Sequence, residues 1–281
     1  MEKARCLAGL AAMLVAGWAC AADLSPEHRA AAIRADVERK ERFAYPPGAV
    51  CAEDDLQKAL HTAFGGDVVR HVVQPQHPSG AAKGDSLGPP QPVDLTLEPA
   101  RLVPIGAGRY ALVVLETNQL GSHAAPGAIG VAYLRRGGSG WLLDRAWPEF
   151  IWTGNAGRAA DSTNVLTYSG RPMIVASSDY LGQGQHSATA WFIRLGERTP
   201  EYLGQAPLSG SLPPDACDAC RHYDYEGFVQ PPRVRGDAFS VAYTGRQQTE
   251  GGDWVKFSAW TDYRSHDGEL VATRKVALPG S

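Results

Sequence analysis

A mainly β protein with a short helical segment near its N-terminus is what this sequence predicts, on three observations. From Val93 onward valine, tyrosine, phenylalanine and tryptophan gather in short runs, the composition that suits a pleated, half-buried surface. Glycine-rich turns such as Gly137-Gly138, Gly251-Gly252 and Asp267-Gly268 separate the runs, as hairpin connections require. The order of runs then repeats at a spacing near sixty residues.

The first copy runs from GRYALVV (108–114) through a polar, glycine-containing loop to IGVAYLR (129–135), a turn and WLL (141–143). The second runs from GRPMIVA (170–176) past Gly182 and Gly184 to TAWFIRL (189–195), a turn and EYL (201–203). A fainter third begins with GDAFSVAY (236–243), continues through WVKFSAW (254–260) and ends at Leu270-Val271. The copies lie near 108–143, 170–203 and 236–271, and each reads as a three-stranded meander, with a fourth strand expected in the connectors at 149–153 and 225–230. Related meanders build a small propeller-like ring, the arrangement expected first, or a sandwich. A propeller needs a further copy hidden in residues 50–107, whereas a sandwich needs none.

Ahead of this β region, 93–281, three segments differ. Lys3 and Arg5 precede an apolar run over 7–19, and Ala19-Cys20-Ala21 follows. A positive start, an apolar run too short to span a bilayer and small residues at the end have the form of a signal peptide, with cleavage expected after Ala21. The predicted compartment is periplasmic; the alternatives are secretion, or lipid anchoring through Cys20, although Gly17 stands where such signals usually carry leucine. Residues 22–73 read as a helical segment. Ser25-Pro26 supplies an N-cap and a first-turn proline for a helix to Phe43, and a second helix is expected over 53–64, with Leu56, Leu60 and Phe64 at helical spacing and Gly65-Gly66 after it. A short strand is expected over 67–73. The proline- and glycine-rich stretch 74–92 reads as a linker.

Loss of residues 1–21 removes two basic side chains and one acidic one, taking the formal charge from −3 to −4 over about 260 residues. Mild acidity argues against non-specific nucleic-acid binding, which needs a basic footprint. Three cysteines remain: Cys51, Cys217 and Cys220. In an oxidising compartment they form one disulfide and leave one thiol, either as a local Cys217–Cys220 ring or as a tie from Cys51. A redox CxxC needs a strand before it and a helix beginning at its first cysteine. Pro213-Pro214 and Arg221-His222-Tyr223 are loop surroundings instead.

Candidate site residues sit at the repeated hairpins. The first carries Asn118 and His123, the second Asp179, Tyr180 and His186. Two histidines and a carboxylate at matching tips raise the question of a metal, but His123 follows Gly121 by two and His186 follows Gly182 by four, and the third copy has no histidine there. Asn or Asp with glycine supplies turn geometry, so the duplication is read as scaffold, with no metal and no cofactor. Tyr223 and Tyr225, beside the cysteine loop, are expected to be exposed on a preorganised surface. Trp147, Phe150 and Trp152 are expected in the core.

Nucleophile-elbow, zinc-protease, phosphate-loop and calcium-loop patterns are absent from the sequence. The reading is therefore an exported envelope protein that acts by binding another envelope or secreted protein, as an inhibitor or immunity protein against a toxin or cell-wall enzyme. The alternative is a hydrolase of an envelope polymer using Asp179, His186 and Glu149, and a third is a structural component of an envelope assembly.

Overall fold

The computed structural model describes residues 53–65, 69–73, 92–119, 125–182, 184–214, 216, 220–230, 238–266, 269–274 and 278–279. The signal segment, the first expected helix, most of the linker, His123, Cys51 and Cys217 lie outside the described residues. One helix, α1 (Glu53–Phe64), precedes thirteen strands: β1 (Val69–Val73), β2 (Pro92–Gly106), β3 (Arg109–Asn118), β4 (Gly127–Gly137), β5 (Gly140–Thr153), β6 (Ser162–Tyr168), β7 (Arg171–Gly182), β8 (Gln185–Leu195), β9 (Pro200–Leu212), β10 (Tyr223–Gln230), β11 (Ala238–Gln248), β12 (Trp254–His266) and β13 (Glu269–Arg274). They form two antiparallel meanders, a five-stranded sheet β1 to β5 and an eight-stranded sheet β6 to β13, each in sequence order.

Local sequence explains these elements. Leu56, Ala59, Leu60, Ala63 and Phe64 lie along one side of α1 and pack on the first sheet, the stripe that helical spacing produces. Gly65 ends the helix with φ +84 and donates its N–H to the carbonyl of His61, a conformation that costs glycine nothing. In β2 the order Val93, Asp94, Leu95, Thr96, Leu97, Glu98 alternates buried and exposed, which is the period of a strand with one solvated face.

Of the two arrangements expected, the sandwich is the one formed. Strand β10 pairs with both β9 and β11, so the second and third repeats merge into one sheet where a propeller would keep separate blades. Val113, Val131, Tyr133 and Ile151 from the first sheet meet Ile174, Trp191, Ile193 and Leu195 from the second. The Tyr133 hydroxyl donates to the carbonyl of Gly196, and the Arg101 guanidinium donates to that of Thr163, fastening the two layers together. Strand β4 is covered on one side by α1 and on the other by the second sheet, which is why Gly127 to Leu134 is buried without a break.

The second sheet also curls on itself. Flat, β8 and β11 would lie about 14 Å apart, three strand spacings. Yet the rings of Phe192 and Phe239 are 4.6 Å apart, and Phe239 stacks on Tyr263 at 5.5 Å. A third core of Met173, Val175, Phe192, Tyr225, Val241 and Tyr243 fills this concavity.

Strand β5 differs from expectation. Residues 141–143 and 149–153 are two ends of one strand rather than two strands. Opposite Gly130 of β4 the register jumps, with Ile129 facing Ile151 and Val131 facing Trp147. Pro148 cannot donate to a ladder, and Pro148, Glu149 and Phe150 swing out there as a bulge, with Glu149 at φ +46. Trp152 is buried, and Trp147 and Phe150 pack against the core between the sheets, as expected.

Candidate functional site

The outer side of β10 to β12 presents an aromatic and charged surface. Along β12, Phe257, Ala259 and Tyr263 join the third core, while Trp254, Lys256, Ser258 and Trp260 point away from it. Alternation along a strand dictates this split. Unbroken register then sets the rows: Trp260 faces Ala242, which faces Phe228; Ser258, Thr244 and Glu226 form the next row; Lys256, Arg246 and Asp224 the one after; Trp254 faces Gln248. Trp254 is 39% and Trp260 45% exposed. Six residues of strand place them about 20 Å apart. Arg246 lies 4.8 Å from the Trp254 ring centroid and 3.9 Å from Asp224, so a cation, an acid and an indole are held together.

Large apolar side chains rarely stand exposed together on a monomer unless something meets them. Of the eight exposed ones among the described residues, Trp254 and Trp260 stand on this face of β12, while Val255 alternates to its other side. The run WVKFSAW puts apolar residues on both faces of β12, a pattern that does not by itself say which face is left uncovered.

Asp179 and His186 are brought together across the β7–β8 hairpin, with Oδ1 to Nε2 at 3.8 Å. Asp179 is further fixed by its main chain, whose N–H donates to Asp161 and whose carbonyl accepts from Asn155. The two side chains are 65% and 38% exposed, an open surface rather than a cleft. Glu149 is not with them: it forms an ion pair with Arg70 of β1 at 3.3 Å, in the first sheet. Tyr180 is exposed at the same hairpin. No group of three or more His, Cys, Asp or Glu among the described residues is arranged to hold a metal.

Three expectations need correction. Asn118 is not at an open loop tip but at the buried end of β3. Its amide donates to the carbonyl of Pro126, and its main-chain N–H donates to that of Gly157, so it ties the β3–β4 and β5–β6 connections together. Tyr223 and Tyr225 are 6% and 7% exposed, with rings 6.1 Å apart inside the third core. In YDYEGF the alternation turns both tyrosines inward and Asp224 and Glu226 outward, so the exposed groups beside the cysteine loop are the acids. Cys220 itself is disulfide-bonded.

A second cluster, missed at the level of sequence, lies in the first sheet. On β3, Leu112, Val114 and Glu116 follow one another on the side facing α1, and Glu116 is fully buried. Its Oε1 accepts the main-chain N–H of Glu149 at 3.3 Å, while Oε2 has no hydrogen-bond partner among the described residues. Desolvation, then the nearby Glu149 carboxylate, raises the Glu116 carboxyl to about 7, against the opposing pull of the Glu149 N–H and of Arg70. Burial raises Glu149 as well, and Arg70 opposes it. Gly130 leaves room for this carboxyl: a Cβ there would collide with Oε1 and touch the Phe64 ring.

No protein-family model matches the chain, and no curated protein matches it. Among solved structures, a GDP-mannose-dependent mannosyltransferase of Leishmania mexicana is similar at 10% identity, over 63% of this chain and 69% of that one, with a TM-score of 0.22. A likeness so slight carries no inference about activity.

Proposed function

We propose that this chain is an exported envelope protein that acts by binding another protein, in the manner of an inhibitor or immunity protein directed at a toxin or a cell-wall enzyme. The observation that carries this reading is the exposed face of β10 to β12, with Trp254 and Trp260 standing on a sheet among Arg246, Lys256, Asp224 and Glu226. Tryptophan and arginine supply the anchors of protein interfaces, and interleaved charges supply register and specificity. A sandwich core holds the face rigid before contact, which lowers the entropy lost on binding. The signal-peptide-like start, with Lys3 and Arg5 ahead of an apolar run, supports a periplasmic location, and no helix among the described residues is long and apolar enough to cross a membrane.

The hydrolase alternative has less support, because Asp179 and His186 meet on an open hairpin while Glu149 is engaged with Arg70 in the other sheet. A photo-crosslinking residue in place of Ser258, between the two tryptophans, tests the binding reading in the native host. One protein adduct at Ser258, absent with the same probe at Thr96 on the outer side of β2, is the expected result. Equal labelling from both positions, or none from either, would overturn it.

A further inference from the structure

The tip of the β7–β8 hairpin and the tryptophan surface of β12 lie on one face, and strand register joins them. Leu181 faces His186, His186 faces Ser211, Ser211 faces Asp224, Asp224 faces Arg246 and Arg246 faces Lys256, without a break from β7 to β12. Residues directly opposite each other in an antiparallel ladder share a side of the sheet, so this is a single row about 24 Å across. In the row beside it, Asp179 faces Ala188, Ala188 faces Ser209 and Ser209 faces Glu226.

A bulge in β9 makes the join. Val175 of β7 and Ala190 and Phe192 of β8 point into the third core, and strict alternation sends Asp179, His186 and Ala188 to the same side as them. Leu208 is left unpaired between Ser209, which faces Ala188, and Pro207, which faces Thr189. Before this insertion Ala190 faces Ala206, both in the core; after it, Ala188 and His186 face Ser209 and Ser211, which alternate with the core-packed Leu208 and Leu212 and so point outward. One extra residue therefore turns Asp179 and His186 onto the side of Asp224, Arg246 and Trp254, the re-aiming that bulges perform.

Size and charge say what this longer face fits. Three strands over the span between Trp254 and Trp260 outline about 300 Å², against about 800 Å² that each protein buries in a standard interface. Beyond β12 the sheet has only the six residues of β13, whereas toward β7 the face continues across three more strands. Leu181, 75% exposed, stands at that far end as an apolar anchor. The charges divide along the face: Asp179, Asp224 and Glu226 on β7 to β10, Arg246 and Lys256 on β11 and β12.

Resting on the binding reading above, we propose that the partner protein lies across all six strands from Leu181 to Trp254, with basic side chains set against the acidic half of the face and acidic ones against Arg246 and Lys256. Such an arrangement fixes the orientation of the partner as well as its position, since rotation by half a turn would set like charges together.

Photo-crosslinking from two positions on the full chain in the native host tests it. A probe in place of Leu181 should give an adduct with the same protein, by mass, as the probe at Ser258, while Thr96 gives none. With the probe kept at Ser258, Asp179→Lys should cut the yield of that adduct about fivefold or more, and Asp179→Asn should cut it less. The main-chain bonds of Asp179 to Asp161 and Asn155 remain in both variants, and the Leu181 probe needs neither variant. An adduct from Ser258 alone, or one that Asp179→Lys leaves unchanged, would overturn the six-strand face and leave binding through β10 to β12 standing. No adduct from either position would remove both.

Discussion

The main-chain N–H of Glu149 donates to Oε1 of Glu116 across 3.3 Å, and it does so from a bulge in which Glu149 itself sits at φ +46. Left-handed backbone is unfavourable for a glutamate. It persists here because Pro148 has broken the ladder and because the turned-out amide supplies the one donor that the buried Glu116 carboxyl receives among the described residues.

Stability should fall as pH rises through neutrality. The Glu116 carboxyl titrates near 4.5 when unfolded and is raised to about 7 when folded. The folded state thus binds the proton more tightly, so its contribution is fully present below pH 4.5 and is lost as pH rises through 7. The whole difference is worth at most about 3 kcal/mol. Urea unfolding at pH 5 and pH 8 should show the wild type weaker at pH 8, and Glu116→Gln should flatten most of that slope; an equal slope in both would contradict the assignment.

Gly130→Ala should be strongly destabilising, by about 2 kcal/mol or more, because the new methyl group collides with Glu116 Oε1. The collision is specific. Shortening Glu116 to alanine in the same chain removes the obstructing atom, so a double-mutant cycle should give a favourable coupling between the two changes. Additive costs would mean that Gly130 is required for some other reason.

Phe239→Ala should cost about 3–5 kcal/mol, since its ring joins Phe192 and Tyr263 across the curl of the second sheet. Thermal or urea unfolding measures this directly. A loss below about 1 kcal/mol would show that the curl does not depend on this contact.

Much of this architecture was legible locally. The spacing of Leu56, Leu60 and Phe64 marked α1, and the period-two pattern from Val93 to Glu98 marked β2 with its buried face. β5 was harder, because a proline and an acid between two apolar runs resemble a connection, and only the pairing with β4 shows one bulged strand. The alternation Leu112, Val114, Glu116, Asn118 already turns Glu116 and Asn118 inward, but polar residues at the end of an apolar run ordinarily mark the start of a loop. The neighbouring cysteines predict surface positions for Tyr223 and Tyr225, whereas the alternation of YDYEGF turns both inward. The exposure of Trp254 and Trp260 depended on something a sequence does not carry, namely which face of the curled sheet the first sheet leaves uncovered.

That face is the centre of the proposed function, and the most direct measurement is a side-by-side capture from an envelope extract of the native host with residues 22–281 and with their Trp254→Ala/Trp260→Ala variant. Both side chains are exposed and outside the three cores, so the variant should unfold within about 1 kcal/mol of the wild type. The wild type should retain one protein at a stoichiometric level, and the equally folded variant should lose it. Equal retention by both chains, or no stoichiometric partner for either, would contradict binding through β10 to β12.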